Sequence, residues 1–303
     1  MILLRLWHGA IVIVGVVVVV FVVTRLIGDP VDVMLPLEAT AEQRAAFEAQ
    51  LGLDRPIIVQ FANYLWDLTK FDFGDSLWQD RPAMEIVVER LPLTLYLVTV
   101  SIAIAILVAV PLGVVAALNP GGLIDRATVV LSLLALSVPQ FWLGLLLIVV
   151  FSVMLGWLPS GGATSPLHLL LPAVTLALPA MTRLVMVVRS QMIDELNTQY
   201  VKTAEAKGLP FFRIVGLHAM RNAAVPVLTL SAWEFIRALS GYTVVVETVF
   251  AWPGLGMVAL QAIERQDLVL LQAIVFTIAV MVVVVNLAVD IVYKTIDPRI
   301  KLD

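Results

Sequence analysis

The chain has 303 residues, of which 61% are hydrophobic and only 14% charged. Soluble domains carry about 25% charged residues, so this balance excludes an ordinary soluble enzyme and selects an integral membrane protein. The absence of cysteine excludes a disulfide framework and thiolate chemistry, and three histidines far apart in sequence (His8, His168, His218) argue against a metal centre.

The N-terminal run could pass for a secretory signal. Its apolar stretch is longer than a usual signal core and no small-x-small cleavage site follows, so it reads as an uncleaved first membrane helix, residues 1–27. A spanning helix needs about 20 mainly apolar residues. Six segments meet that length: 6–27, 93–118, 127–155, 167–188, 226–250 and 268–289. The expected fold class is therefore all-α, a polytopic membrane protein with six transmembrane helices. Between the first two lies a small extracytoplasmic insertion, residues 28–90, with twelve acids against five bases. There Thr40 followed by Gln43 predicts a capping box, with Gly52 closing that helix. Residues 91–303 are expected to form a five-helix transmembrane core.

No Asp, Glu, Lys or Arg occurs from Ala127 to Thr182, a length that holds two spans broken at the turn-forming 157–166 segment. Pro92, Pro172 and Pro226 are expected to open spans, where the missing N–H costs nothing. Pro111, Pro139 and Pro179 fall inside spans, as packing irregularities or as hinge and cavity-lining geometry. Arg5, Arg126, Lys202, Lys207, Arg213, Arg221, Lys294, Arg299 and Lys301 fall on one side of a six-span layout. The positive-inside rule then predicts both termini in the cytoplasm.

Between spans four and five the chain carries a long basic, amphipathic connection, residues 195–225. Tyr200 to Lys207 has no Pro or Gly and predicts two helical turns, with Val201, Ala204 and the stem of Lys202 sharing roughly one face. Gly208 permits a positive φ as a stop, Pro210 prevents continuation, and Phe211-Phe212 offer an apolar anchor. Such a helix suits a cytoplasmic partner, or alternatively anionic lipid. Glu234 and Arg237, three apart in the fifth span, predict an ion pair turned to the bundle interior: a structural pair, or a lining for a polar or zwitterionic solute. Ser240 and Glu247 extend that candidate lining, Glu247 as a gate-region contact or interfacial solvation. Arg183 either lines the path or snorkels to the cytoplasmic surface.

No phosphate-cradling G-x-x-x-x-G-K-[ST] motif occurs. The serines and His168 do not make a hydrolase constellation, and spans one to four lack the acid relays of a proton-driven carrier. The pattern reads as a conduit driven from elsewhere, without catalytic or metal residues of its own. A self-sufficient secondary carrier or channel for small polar solutes is the alternative.

YVKTAEAKGL (200–209) followed by HAMRNAAVP (218–226) resembles the EAA loop of ABC-importer permeases, in particular the dipeptide/oligopeptide/nickel branch. Gly28-Asp29-Pro30, LGLDRP (51–56), DFGDS (72–76), VETVFAWPGLG (246–256), NLAVD (286–290) and DPRI (297–300) are similar to that branch's landmarks, in the same order, over nearly the whole chain. Lys202-Thr203-Ala204 stand where the generic motif has Glu-Ala-Ala, and Met220-Arg221 where it has Leu-Pro, both as in the peptide branch. The resemblance implies a type I ABC-importer permease of B type in the bacterial plasma (inner) membrane. It implies a homologous second permease, two cytoplasmic ATPase subunits that bind ATP and Mg, and an extracytoplasmic substrate-binding protein. Membrane lipid surrounds the chain, and no nucleic acid is involved. Tyr200, Val201, Lys202, Thr203, Ala204, Lys207, Gly208, Arg213, His218, Arg221 and Asn222 would make up the ATPase-coupling element. Solutes across this branch include peptides, glutathione, opines and nickel, with selection resting largely on the binding protein.

Overall fold

The computed structural model describes residues 2–27, 40–50 and 54–296. Gly28-Asp29-Pro30, residues 51–53 with Gly52, and the 297–300 motif lie outside the described residues, as do Arg299 and Lys301. Described residues form helices α1 (Ile2–Ile27), α2 (Ala41–Gln50), α3 (Ile57–Leu68), α4 (Ala83–Leu118), α5 (Leu123–Ser137), α6 (Gln140–Leu147), α7 (Leu170–Leu196), α8 (Gln199–Ala206), α9 (Met220–Arg237), α10 (Thr243–Val249), α11 (Leu255–Glu264) and α12 (Leu268–Ile296). Among them, four are long and apolar enough to cross a membrane: α1, α4, α7 with its preceding turn, and α12.

The other two expected spans differ from simple rods. The third is bent by 98° between α5 and the α6 segment that ends at Met154, so it counts as a broken crossing or a re-entrant pair. Val138 is extended (φ −86°, ψ 122°) because the ring of Pro139 disfavours helical backbone before it. The fifth is helical throughout, but longer than expected. The turn Phe211–Arg213 runs through a π-helical stretch, Ile214–Ala219, into α9, then through a second, Ala238–Tyr242, into α10. Pro226 lies inside this run instead of opening it. Pro92 likewise lies inside α4, which begins ten residues before the expected span; its extra turns carry Glu85, Glu89 and Arg90. At 1.5 Å per residue α4 is about 54 Å long, well beyond the roughly 30 Å of hydrocarbon.

The chain divides into two compact units, residues 1–92 with 254–284, and residues 93–253 with 285–303. The 254–284 segment thus joins the N-terminal unit, although the sequence groups it with the 91–303 core. The reason is packing: Ile86 and Val87 of α4 share a buried cluster with Leu255 and Val258 of α11 and Leu270 and Ile274 of α12. Asp267, fully buried, caps α12 through the Leu270 N–H (3.0 Å) and accepts from the Ser76 hydroxyl (2.5 Å) and the Trp78 N–H (3.2 Å). The DFGDS landmark therefore ties the insertion to the start of the last helix. The capping box forms as expected, with Gln43 N–H donating to Thr40 Oγ1 (3.3 Å) and Thr40 N–H to Gln43 Oε1 (2.9 Å).

In the second unit, the core runs along α4, α7 and the 211–249 helical run, with Leu97, Ala109, Leu184, Val188 and Met192 buried. Gly113 lets α4 approach α7: a Cβ there would lie 2.7 Å from the Val188 Cβ and 2.9 Å from the Val185 carbonyl oxygen. Small residues at such crossings replace the hydrophobic drive that lipid does not supply. Gly113→Ala is expected to destabilise the chain by about 1–3 kcal/mol, whereas Gly216→Ala, with open space around it, should be neutral. Thermal melts of the two variants in detergent check this; equal midpoints would refute the close-packing role.

Candidate functional site

The expected helix at Tyr200 to Lys207 forms as α8, which ends at Ala206 with Lys207 as its C-cap. Gly208 has φ +73°, its N–H donates to the Glu205 carbonyl (2.8 Å), and the Leu209 N–H reaches back to Ala204 (3.1 Å). These two bonds make a Schellman motif, with Leu209 giving the accompanying apolar contact. Val201 and Ala204 are buried against Ile214, so this apolar face is turned into its own chain. Lys202 does not share it. At about 100° per residue its side chain is carried off that face, and it lies exposed with Thr203, Glu205, Lys207 and Gly208. Phe211 and Phe212 are exposed as well, ring centroids 6.1 Å apart, beside exposed Arg213 and half-buried His218.

A polar clasp closes this segment. Tyr200 donates its phenol to the Glu195 carboxylate, and Asn222 Nδ2 donates to Glu195 Oε2 (3.2 Å) and to the Tyr200 oxygen (3.1 Å). Partial burial, then the Glu195 hydrogen bond, pushes the Tyr200 phenol above its usual pKa. The clasp joins the end of α7, α8 and the start of α9. Tyr200 and Asn222, expected to face a partner, are thus engaged with each other through Glu195, which no sequence motif singles out. Arg221 remains exposed.

Glu234 is almost fully buried, and its main partner is Arg183 of α7, whose Nε and Nη2 donate to the two carboxylate oxygens at 2.7 and 2.6 Å. Arg237 makes the expected i, i+3 contact, but at 3.3 Å from a side chain 49% exposed. Arg183 therefore does not snorkel. A bidentate bond to a desolvated carboxylate outweighs reaching the interface. With Glu234 matched by Arg183, the cationic head of Arg237 stands outward, on an exposed stripe with Trp233 and Ser240. A second buried pair, Arg189 with Asp125, joins α7 to α5; Asp125 also accepts the Gly121 N–H (2.7 Å). The opposite charges in separate apolar helices were the signal for both pairs.

Glu247 lines no open surface. It is fully buried and accepts from Thr94 Oγ1 at 2.7 Å. The following landmark residues lock the same region, with the Gly162 N–H on the Phe250 carbonyl (2.9 Å) and the buried Trp252 indole N–H on the Leu93 carbonyl (3.2 Å). His168 is used locally, its Nδ1 beside Ser165 Oγ (2.9 Å) and Nε2 beside Thr164 Oγ1 (3.2 Å), capping the turn before α7.

Ion pairs held between apolar helices fit a polytopic membrane protein. The fold agrees. The methionine ABC transporter MetNI, solved in inward-facing conformations, has a chain that matches with TM-score 0.59 at 20% identity, over 71% of this chain and 97% of that one. The family model for the binding-protein-dependent transport system inner membrane component matches residues 109–302. A putative peptide transport system permease protein of Brucella abortus (strain 2308) is 38% identical over 94% of both chains. The oligopeptide transport system permease protein of Bacillus subtilis (strain 168) is 38% identical over 95% of this chain and 94% of its own. The glutathione transport system permease protein of Salmonella typhimurium is 38% identical over 94% of this chain and 93% of its own. The chain belongs to the family of binding-protein-dependent transport system inner membrane components and is the permease subunit of an ABC importer.

Proposed function

We propose that the chain forms half of the translocation path for peptides or similar small solutes, beside a homologous second permease. Two cytoplasmic ATPases would grip the 200–213 segment, one on each permease, and hydrolyse ATP with Mg. A binding protein would deliver solute on the opposite face, with both termini of this chain in the cytoplasm. The names of the peptide, oligopeptide and glutathione relatives support the solute class. All such solutes carry a carboxylate, the group that the outward Arg237 suits.

One observation carries the coupling role. α8 is seated on Ile214, at the start of the same helical run that buries Glu234, and presents Lys202, Thr203, Glu205 and Lys207 outward. A push on α8 is delivered to that run through apolar contact and the Glu195 clasp. The chain has no native cysteine, so Thr203→Cys offers a single attachment point for a cross-linker. In the assembled transporter it is expected to cross-link to an ATPase subunit and to resist maleimide. Unhindered maleimide labelling with the ATPases bound would refute this docking face.

A further inference from the structure

Helix α3, within the segment that the sequence reads as an extracytoplasmic cap, divides into three faces. Phe61, Tyr64, Leu65 and Leu68 turn inward. Phe61 meets Phe21 of α1 edge-on and Tyr64 packs on the same ring at a tilt, with ring centroids 5.1 and 5.5 Å away, and burial pushes the Tyr64 phenol up to about 12. Ile58, Ala62 and Trp66, four residues apart within about 80° of arc, are all exposed, Ile58 at 76% and Trp66 at 63%. Gln60, Asn63 and Asp67 occupy the remaining edge.

Depth decides what meets the exposed apolar face. Phe21 lies inside the apolar run of α1, four residues before Arg25, the first charge after that run, which is about 6 Å along the axis. A helix packed on Phe21 is therefore held at the level of the headgroups and upper acyl chains, not above them. On α1 itself Val18, Val19, Val22 and Val23 are exposed at the same level of the helix as Phe21. Trp66, with the Lys70 ammonium 5.2 Å over its ring, has the composition of a membrane-interface anchor, an amphipathic ring beside a cation.

We propose that α3 is an interfacial helix, lying on the bilayer on the side of the 28–90 segment, with Ile58, Ala62 and Trp66 set among lipid chains and Gln60, Asn63 and Asp67 toward water. Interfacial helices bury such a face roughly 5–10 Å into the headgroup boundary. The insertion is then moored to the membrane, and a docking protein meets it at bilayer height. This rests on the membrane placement of α1.

The test uses the assembled transporter in lipid nanodiscs, spin-labelled one site at a time on the cysteine-free chain. Labels at Ile58→Cys and Ala62→Cys are expected to show an oxygen-to-nickel-chelate accessibility ratio several-fold above Asp54→Cys and close to Val19→Cys, with Asn63→Cys nearer the aqueous value. Ratios at 58 and 62 like that at 54 would overturn the proposal. So would exclusion of both reagents, which would mean that protein, a second permease or binding protein, covers the face. Val19 keeps the failures apart: an aqueous reading there would refute the placement of α1 itself.

Discussion

Glu234→Ala is expected to cost about 3–5 kcal/mol, the usual result of removing one partner from a buried ion pair. The size follows from the geometry. Glu234 is 1% exposed and takes two short bonds from Arg183, with Arg237 3.3 Å away. Its removal leaves the Arg183 guanidinium, 25% exposed, without its carboxylate partner between apolar helices. In detergent the melting midpoint should fall on the order of 10 °C, with reduced yield in the membrane. Pairing Arg183→Leu with Glu234→Leu should recover much of that loss, because a well-packed apolar pair also removes the desolvation cost. Arg237→Gln should barely move the midpoint, since its side chain is half exposed. If Arg237 receives the solute carboxylate, the same variant should instead raise the KM of uptake. A wild-type midpoint for Glu234→Ala would sink the reading of Glu234 as the anchor of this bundle, and an unchanged KM in Arg237→Gln would remove the carboxylate role.

What could be read from sequence divides by range. The Thr40–Gln43 box and the Gly208 stop are local, each fixed by a few consecutive residues, and both form as expected. Four of the six expected spans were legible as lengths of apolar chain, and so was the third, which forms as a bent pair. Their shape was not, because the 98° bend depends on Val138 leaving the helix and the π stretches depend on one inserted residue of register. Pairing at long range was the least visible. Arg183 and Glu234 lie 51 positions apart, and Arg237 is the nearer neighbour in sequence, so the i, i+3 rule found the weaker of the two contacts. Glu247 shows the same limit, since its motif marks importance while its burial against Thr94 comes from α4.

Ala204→Asp carries the second large effect, this time on transport. Ala204 is 8% exposed among Val201, Ile214 and Leu209, so the aspartate meets an apolar cluster with no cation in it. Burying an unpaired carboxylate costs several kcal/mol, more than an eight-residue helix holds by its own propensity. The expected response is local: α8 leaves its seat while α7 and α9 keep their own core, and the chain still inserts. ATP-driven uptake should fall tenfold or more, the factor that about 1.4 kcal/mol of lost coupling already produces, at normal membrane abundance on immunoblots. Ala206→Asp supplies the control, with the same added charge on the exposed face. If seating is what matters, Ala206→Asp transports far better than Ala204→Asp. If the two are equally defective, charge at the outer face is the sensitive quantity, and the contact to the partner rather than the Ile214 seat limits transmission. Full uptake in Ala204→Asp would remove α8 from the coupling path altogether, because a lever that works when unseated is not transmitting the force.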